Sequence, residues 1–443
     1  MARLFGTDGI RGVANADLTP ELAFRVGRAA GAVLGGQGPV VIGRDTRVSG
    51  PMLEAALAAG LCSVGVSVAL GGILPTPAVA YLARAQRCSG VVVSASHNPV
   101  EDNGIKLFGA DGFKLPDAVE DRIEAWLARD DLPRPTGTRL GTVAPFPDAA
   151  DRYLRYLLGL ARGRLDGLRV LVDCAYGAAV RLAPQLWQAL GASVIALHDV
   201  PDGGRINVAC GSTHLEPLQA AVRTHGADVG FAHDGDADRV LAVDERGEVV
   251  DGDALMGICA LDRHARGLLP GDVVVATVMS NAGLEDALRA AGVRLERTRV
   301  GDRYVLARMR ELGAVLGGEQ SGHLVFLDHA TTGDGLVTAL EVVNVMLRSG
   351  RRLSELRAAI PRYPQVLVNV PVRRRDGVLE APEVTAAIRA AQGRLRDGGR
   401  ILVRPSGTEP VIRIMVEATR QEVAEALAAE VAEAVTRAAG AAS

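Results

Sequence analysis

The chain has 443 residues, too many for one core, and length alone predicts three or four domains. A net charge of −3 gives no general attraction to nucleic acid or to an anionic membrane, although 49 basic residues still leave room for a local basic pocket. Hydrophobic residues make up 48% and aromatics only 3%, so the cores must be built from Ala, Val and Leu.

The N-terminal stretch has no apolar signal core and no segment is long enough to span a bilayer, so a cytoplasmic location is expected. The five cysteines, Cys62, Cys88, Cys174, Cys210 and Cys259, are scattered without a CxxC pair and read as small buried hydrophobes. Lys occurs only at Lys106 and Lys114, and every other basic residue is Arg. A Lys kept in a polar loop of so Arg-rich a chain marks a position where guanidinium cannot serve, because only an ammonium can be tuned to release a proton near neutrality.

Along the chain, Glu21–Leu34 repeats Leu22, Val26, Ala30 and Val33 on one helical face. Short Val-rich runs alternate with such helical patterns: Pro39–Gly43, Gly90–Val93, Leu168–Val172, Val229–Ala232, Asp272–Ala276 and Ala314–Leu316. Strand–helix alternation predicts βαβ units and mainly parallel sheets. Polar, Gly-rich loops recur in pairs after these runs, which predicts three related α/β domains with ligand sites at the strand C-termini. From Val366 to Val416 three strand-like runs and a helix from about Gln421 predict a smaller C-terminal α+β domain. The expected domains are 1–150, 151–253, 254–363 and 364–443, with Pro361-Arg-Tyr-Pro364 as a hinge.

Six segments carry the chemistry. Ser94-Ala-Ser-His-Asn-Pro99 follows a strand, where an exposed Ser can act as nucleophile or phosphoryl carrier; the residues alone leave Ser94 and Ser96 both open. Asp234-Gly-Asp-Ala-Asp-Arg239 places three carboxylates where only a cation relieves their repulsion, and magnesium prefers such oxygen ligands. An EF-hand is excluded despite Glu245 at the twelfth position, because Arg239 replaces the required Gly and the flanks read as strands. Gly317-Gly-Glu-Gln-Ser-Gly-His323 offers Glu319, Ser321 and His323 to the hydroxyls of a sugar. Arg404-Pro-Ser-Gly-Thr-Glu-Pro410 and Arg413 combine a backbone nest with hydroxyls and charge, which fits a phosphate. Phe5–Gly12 and Asn103–Phe108 complete the set: Arg11 is placed to hold a phosphoryl group, and Lys106 lies ten residues past Ser96.

Taken in chain order, Phe5–Gly12, Ser94–Pro99, Asp234–Arg239, Gly317–His323 and Arg404–Pro410 together resemble the α-D-phosphohexomutases over the whole chain. The resemblance implies that Ser96 is the phosphoserine and that Asp234, Asp236 and Asp238 bind Mg²⁺ with an oxygen on Ser96. It implies that Glu319 and Ser321 bind the sugar, and that Arg404, Ser406, Gly407, Thr408 and Arg413 bind its phosphate. Lys106, Arg11, Arg239 and His323 match positions for acid–base chemistry or charge stabilisation. Gln320 resembles the branch acting on glucosamine phosphates, where mannose and glucose enzymes more often carry Met. The activity so implied converts glucosamine 6-phosphate to glucosamine 1-phosphate through a sugar 1,6-bisphosphate, feeding UDP-N-acetylglucosamine synthesis. The alternative is the same chemistry on mannose or glucose phosphates. A small sugar phosphate is the expected partner, with neither nucleic acid nor membrane, and a homodimer is left open.

Overall fold

The computed structural model describes residues 3–441 except 7, 36–37, 128, 130, 373–376, 396–397 and 407–409. The chain forms two compact units, one of residues 1–279 with 293–358, the other of 280–292 with 359–443.

The first unit contains three mixed sheets. In the first, Val40–Arg44, Val68–Ile73, Gly90–Val93 and Val143–Pro145 run parallel, while Asp102–Phe108 returns antiparallel beside Gly90–Val93 and pairs with Ile10–Val13. In the second, Arg169–Asp173 is flanked in parallel by Ser193–Leu197 and Val229–His233, and Val240–Asp244 returns antiparallel. In the third, Val273–Thr277 is flanked in parallel by Arg294–Thr298 and Leu316–Gly318, and Leu324–Phe326 returns antiparallel. The three sheets thus share a device: one parallel strand leads through a short loop into an antiparallel return beside it. The Ser96, Asp234–Arg239 and Glu319–His323 loops all occupy that place.

Helices cover these sheets because small residues let them approach. Pro20–Leu34 starts from Thr19, whose hydroxyl accepts the Leu22 N–H at 3.2 Å, and Pro20 supplies a preset first turn. It crosses Gly50–Ser63 so closely that a Cβ on Gly27 would lie 2.4 Å from Leu57 O, and one on Gly60 2.2 Å from Phe24 O. The cores are mainly Val, Leu, Ile and Ala, and Trp187 stacks on Phe231 at 5.4 Å. No cysteine is bridged, and all but Cys62 are buried.

The second unit is a three-stranded antiparallel sheet with Val411–Ala418 between Gln365–Pro371 and Gly399–Pro405, packed by Pro382–Leu395 and Gln421–Ala441. The helix Ala282–Ala290, which lies within the expected domain 254–363, packs with this unit. Its contacts explain this. Ala282 N–H donates to the buried Glu417 at 2.8 Å, Arg400 donates to Ser280 O at 2.7 Å, and the Tyr363 hydroxyl donates to Asp286 at 2.6 Å. Among the described residues no helix is long and apolar enough to cross a membrane.

Candidate active site

Ser96 is 1% exposed and holds a left-handed backbone, φ 54°, unusual for a residue with a side chain. Its hydroxyl donates to Asp234 Oδ2 at 2.5 Å. The Ser94 hydroxyl points elsewhere: it donates to Asp45 Oδ2 at 2.6 Å and accepts the Ser96 N–H at 2.9 Å. Of the two serines, only Ser96 faces the acidic loop.

That loop is anchored from both sides. Thr76 N–H donates to Asp236 O at 2.9 Å and Gly335 N–H to Ala237 O at 3.0 Å, so helices of the first and third sheets grip the turn of the second. Asp234, Asp236 and Asp238 are buried, with one ligand atom of each within 4.8 Å of the others. Burial, reinforced by Asp238 and Asp236, pushes the Asp234 carboxyl well above its usual range. Burial acts on Asp238 in the same sense, yet Lys106 and His323 hold it well below. Asp236 Oδ1 and Asp238 Oδ1 are buried without a hydrogen-bond partner among the described residues. Orphaned carboxylate oxygens in a dry site are costly unless a cation completes them, and hard oxygen donors suit a divalent ion such as magnesium. Glu245, the rejected EF-hand position, accepts the Ser354 hydroxyl at 2.5 Å instead.

Both lysines of the chain enter this cluster. Lys106, 1% exposed, lies 2.7 Å from Asp236, 3.1 Å from Asp8 and 3.4 Å from Asp238. Burial opposes its charge, but those three carboxylates hold the ammonium protonated well above its ordinary range. Lys114 bridges Asp8 and Asp302, the latter at 2.5 Å. Arg11 pairs with Asp8 and donates to Asn98 Oδ1 at 3.0 Å. Arg239 lies 3.8 Å from Asp238. His323 accepts the Gly333 N–H on Nε2 at 3.1 Å, which leaves Nδ1 as the protonated nitrogen, 3.6 Å from Asp238. His97 Nδ1 lies 3.3 Å from the Ser96 hydroxyl, and burial, helped by Arg239 and Arg11, pulls this imidazole down to about 4.

Glu319 accepts the Gly301 N–H at 3.0 Å, and the carbonyl of Gln320 accepts Gly252 N–H at 3.0 Å, so the third loop leans on the helix Gly252–Ala265. The buried Ser321 hydroxyl has no hydrogen-bond partner among the described residues. In the second unit, Arg404 and Arg413 stand directly opposite on antiparallel strands, which puts both side chains on one face, and Ser406 N–H closes the hairpin onto Val411 O at 2.9 Å. Gly407 and Thr408 lie outside the described residues.

Several site residues escape sequence reasoning: Asp8, Asp45, Arg47, Thr76, Asn207 and Asp302. Asp8 sits inside the segment Phe5–Gly12 and Asp45 two residues past the run Pro39–Gly43, but their partners are distant in sequence, so no spacing announces them. A second trio, Asp173, His198 and Cys210, also brings ligand atoms together. There Asp173 already accepts from Ala175 N at 2.9 Å, Gly211 N at 3.0 Å and His198 Nδ1 at 2.9 Å, which makes it a loop brace.

Comparison with known proteins gives four consecutive matches to phosphoglucomutase/phosphomannomutase: alpha/beta/alpha domain I over residues 2–134, domain II over 151–247, domain III over 251–363 and the C-terminal domain over 367–434. The chain belongs to the phosphoglucomutase/phosphomannomutase family, the α-D-phosphohexomutases, and is an isomerase of that class. Within it, the chain is 59% identical to a phosphoglucosamine mutase of Moorella thermoacetica, over 96% of this chain and 97% of that protein. It is 55% identical to the phosphoglucosamine mutase of Saccharopolyspora erythraea, over 98% and 99%. A crystal structure of a family member from Burkholderia thailandensis superposes with a TM-score of 0.83 at 27% identity, covering 98% of this chain and 97% of that one.

Proposed function

We propose that this enzyme interconverts glucosamine 6-phosphate and glucosamine 1-phosphate, with Ser96 as the phosphoryl carrier and Mg²⁺ held by Asp234, Asp236 and Asp238. The observation that carries the reading is the Ser96 hydroxyl 2.5 Å from Asp234, inside a buried trio that also meets Lys106. The names of the relatives at 59% and 55% identity support the amino sugar.

In this reading Ser96 carries the phosphoryl group and the substrate presents O1 to it. Phosphorus–Oγ bond cleavage and phosphorus–O1 bond formation give the 1,6-bisphosphate, and the proton of O1 passes to a base of the site. The sugar turns end for end, its 6-phosphoryl returns to Ser96, and glucosamine 1-phosphate leaves. Lys106 and Arg11 offset charge on the transferred group by position alone, since such catalysis is mainly electrostatic. A bound Mg²⁺ would neutralise phosphoryl oxygens beside Ser96. Arg239 and His323 flank the same oxygens, Glu319 and Ser321 orient the hydroxyls, and Arg404, Ser406, Gly407, Thr408 and Arg413 hold the far phosphate.

Steady-state rates on the 6-phosphates of glucosamine, glucose and mannose test the substrate, and preference for glucose or mannose overturns the amino-sugar assignment. Intact mass after incubation with a hexose 1,6-bisphosphate tests the carrier. The wild-type protein gains one phosphoryl group and Ser96→Ala gains none; a phosphorylated Ser96→Ala protein moves the role elsewhere.

A further inference from the structure

The left-handed turn that presents Ser96 is held from within by Ser96 N–H on the Ser94 hydroxyl (2.9 Å) and Asn98 N–H on the Ala95 carbonyl (3.0 Å), and from outside by two residues apart from the reacting groups. Arg47 is fully buried and all five of its guanidinium N–H groups are used. Nε donates to Asp45 Oδ2 at 3.0 Å, Nη1 to the carbonyls of Pro99 and of Asp102 (2.9 Å), and Nη2 to those of Ser96 (3.1 Å) and Asn98 (2.8 Å). The carbonyls it grips lie in the loop between Gly90–Val93 and Asp102–Phe108 and on the first residue of the return strand. From the second sheet's side, Asn207 Nδ2 donates to the same Ser96 carbonyl at 2.9 Å. The turn of the acidic loop closes the third side: a Cβ on Gly235 would lie 2.5 Å from Ser96 O and 3.0 Å from Asn207 Nδ2.

We infer that Arg47 and Asn207 are positioning residues for phosphoryl transfer, clamping the Ser96 carbonyl so that Oγ keeps its aim at Asp234. This rests on the phosphoserine reading above. The chemistry explains the residue types. A planar guanidinium can serve four carbonyls and a carboxylate at once, which the three donors of an ammonium cannot. Holding the carbonyl from two directions removes the peptide rotation that would swing Oγ off line. A misplacement of about 1 Å costs transfer about 100-fold. A loosened phosphoserine is also open to water. In that step water attacks phosphorus, the phosphorus–Oγ bond breaks, inorganic phosphate leaves, and Oγ takes a proton from the attacking water.

The test uses the full-length protein with Mg²⁺, loaded at Ser96 by a hexose 1,6-bisphosphate, as wild type, Arg47→Lys and Asn207→Ala. Loading of the wild type is measured first, by intact mass; failure there sinks the functional reading itself, before any variant is compared. Given loading, both variants should lose kcat, about 100-fold for Arg47→Lys, with KM for the hexose 6-phosphate unchanged. They should also release more inorganic phosphate per sugar isomerised. Asn207→Ala removes only a neutral amide, so it keeps the test open if Arg47→Lys fails to fold. Wild-type kcat and phosphate release in a folded Asn207→Ala protein overturn the clamp. So does a parallel change in kcat and KM with no rise in phosphate release, which is the pattern of general loosening.

Discussion

Lys106 shows how much one residue choice can carry. It sits buried among Asp8, Asp236 and Asp238, and the three contacts of 2.7–3.4 Å define a pocket for a compact ammonium. Arg would keep the charge but bring a planar, wider head into a full site. Lys106→Arg should therefore fold and lose kcat by about two orders of magnitude through misplacement of the neighbouring groups. Steady-state kinetics checks this, and near-wild-type turnover would contradict it. Lys106→Met is worse for the fold, because it leaves buried carboxylates uncompensated, a loss of about 3–5 kcal/mol in denaturant unfolding. The Lys-versus-Arg asymmetry was legible in the sequence; the second lysine's place in the same cluster was not, because Asp8 joins them through space.

At the scale of elements, two features set stability. The crossing of Pro20–Leu34 on Gly50–Ser63 depends on Gly27 and Gly60. Gly60→Ala puts a methyl against the Phe24 carbonyl and should cost about 1–3 kcal/mol, read as a lower denaturation midpoint at unchanged m. The second is the cap of Gly335–Ser349, where Asp334 accepts Leu336 and Val337 N–H at 3.0 Å each and the Tyr153 hydroxyl at 2.5 Å. Burial, against those hydrogen bonds, pushes its carboxyl up to about 6. The unfolded chain releases this proton near 3.8 and the folded one holds it to about 6, so the unfolded state binds fewer protons between those values and stability falls as pH rises through them. The contribution lost is about 3 kcal/mol. Asp334→Asn keeps the cap acceptor without the titration, so the difference in stability between the two proteins should change by about that amount between pH 4 and 6.5. A constant difference across the range would refute the assignment. Helix periodicity and the Val-rich runs predicted most elements. The antiparallel return strands are less legible, because a short apolar run carries no sign of direction.

For the whole molecule, the first unit's three sheets each send one loop to the same place, and an acidic trio forms only where the second loop meets helices from the other two. Metal binding should therefore stabilise the assembled unit. Adding Mg²⁺ to chelator-treated protein should raise Tm, by mass action about 2.7 kcal/mol at a hundredfold excess over Kd, and restore activity. A Tm indifferent to Mg²⁺ would argue against an ion at Asp234, Asp236 and Asp238. The α/β order, the small C-terminal sheet, the acidic loop and the serine loop all follow from local pattern: strand and helix periods repeat over a few residues, and a loop's chemistry is written in its own side chains. Only tertiary structure decided that Ser94 turns to Asp45 while Ser96 faces Asp234, that Arg47 and Asn207 grip one carbonyl, and that Ala282–Ala290 joins the C-terminal unit. The reason is physical: each depends on burial and on hydrogen bonds between residues from 49 to 138 positions apart, and no local period records a partner at that range.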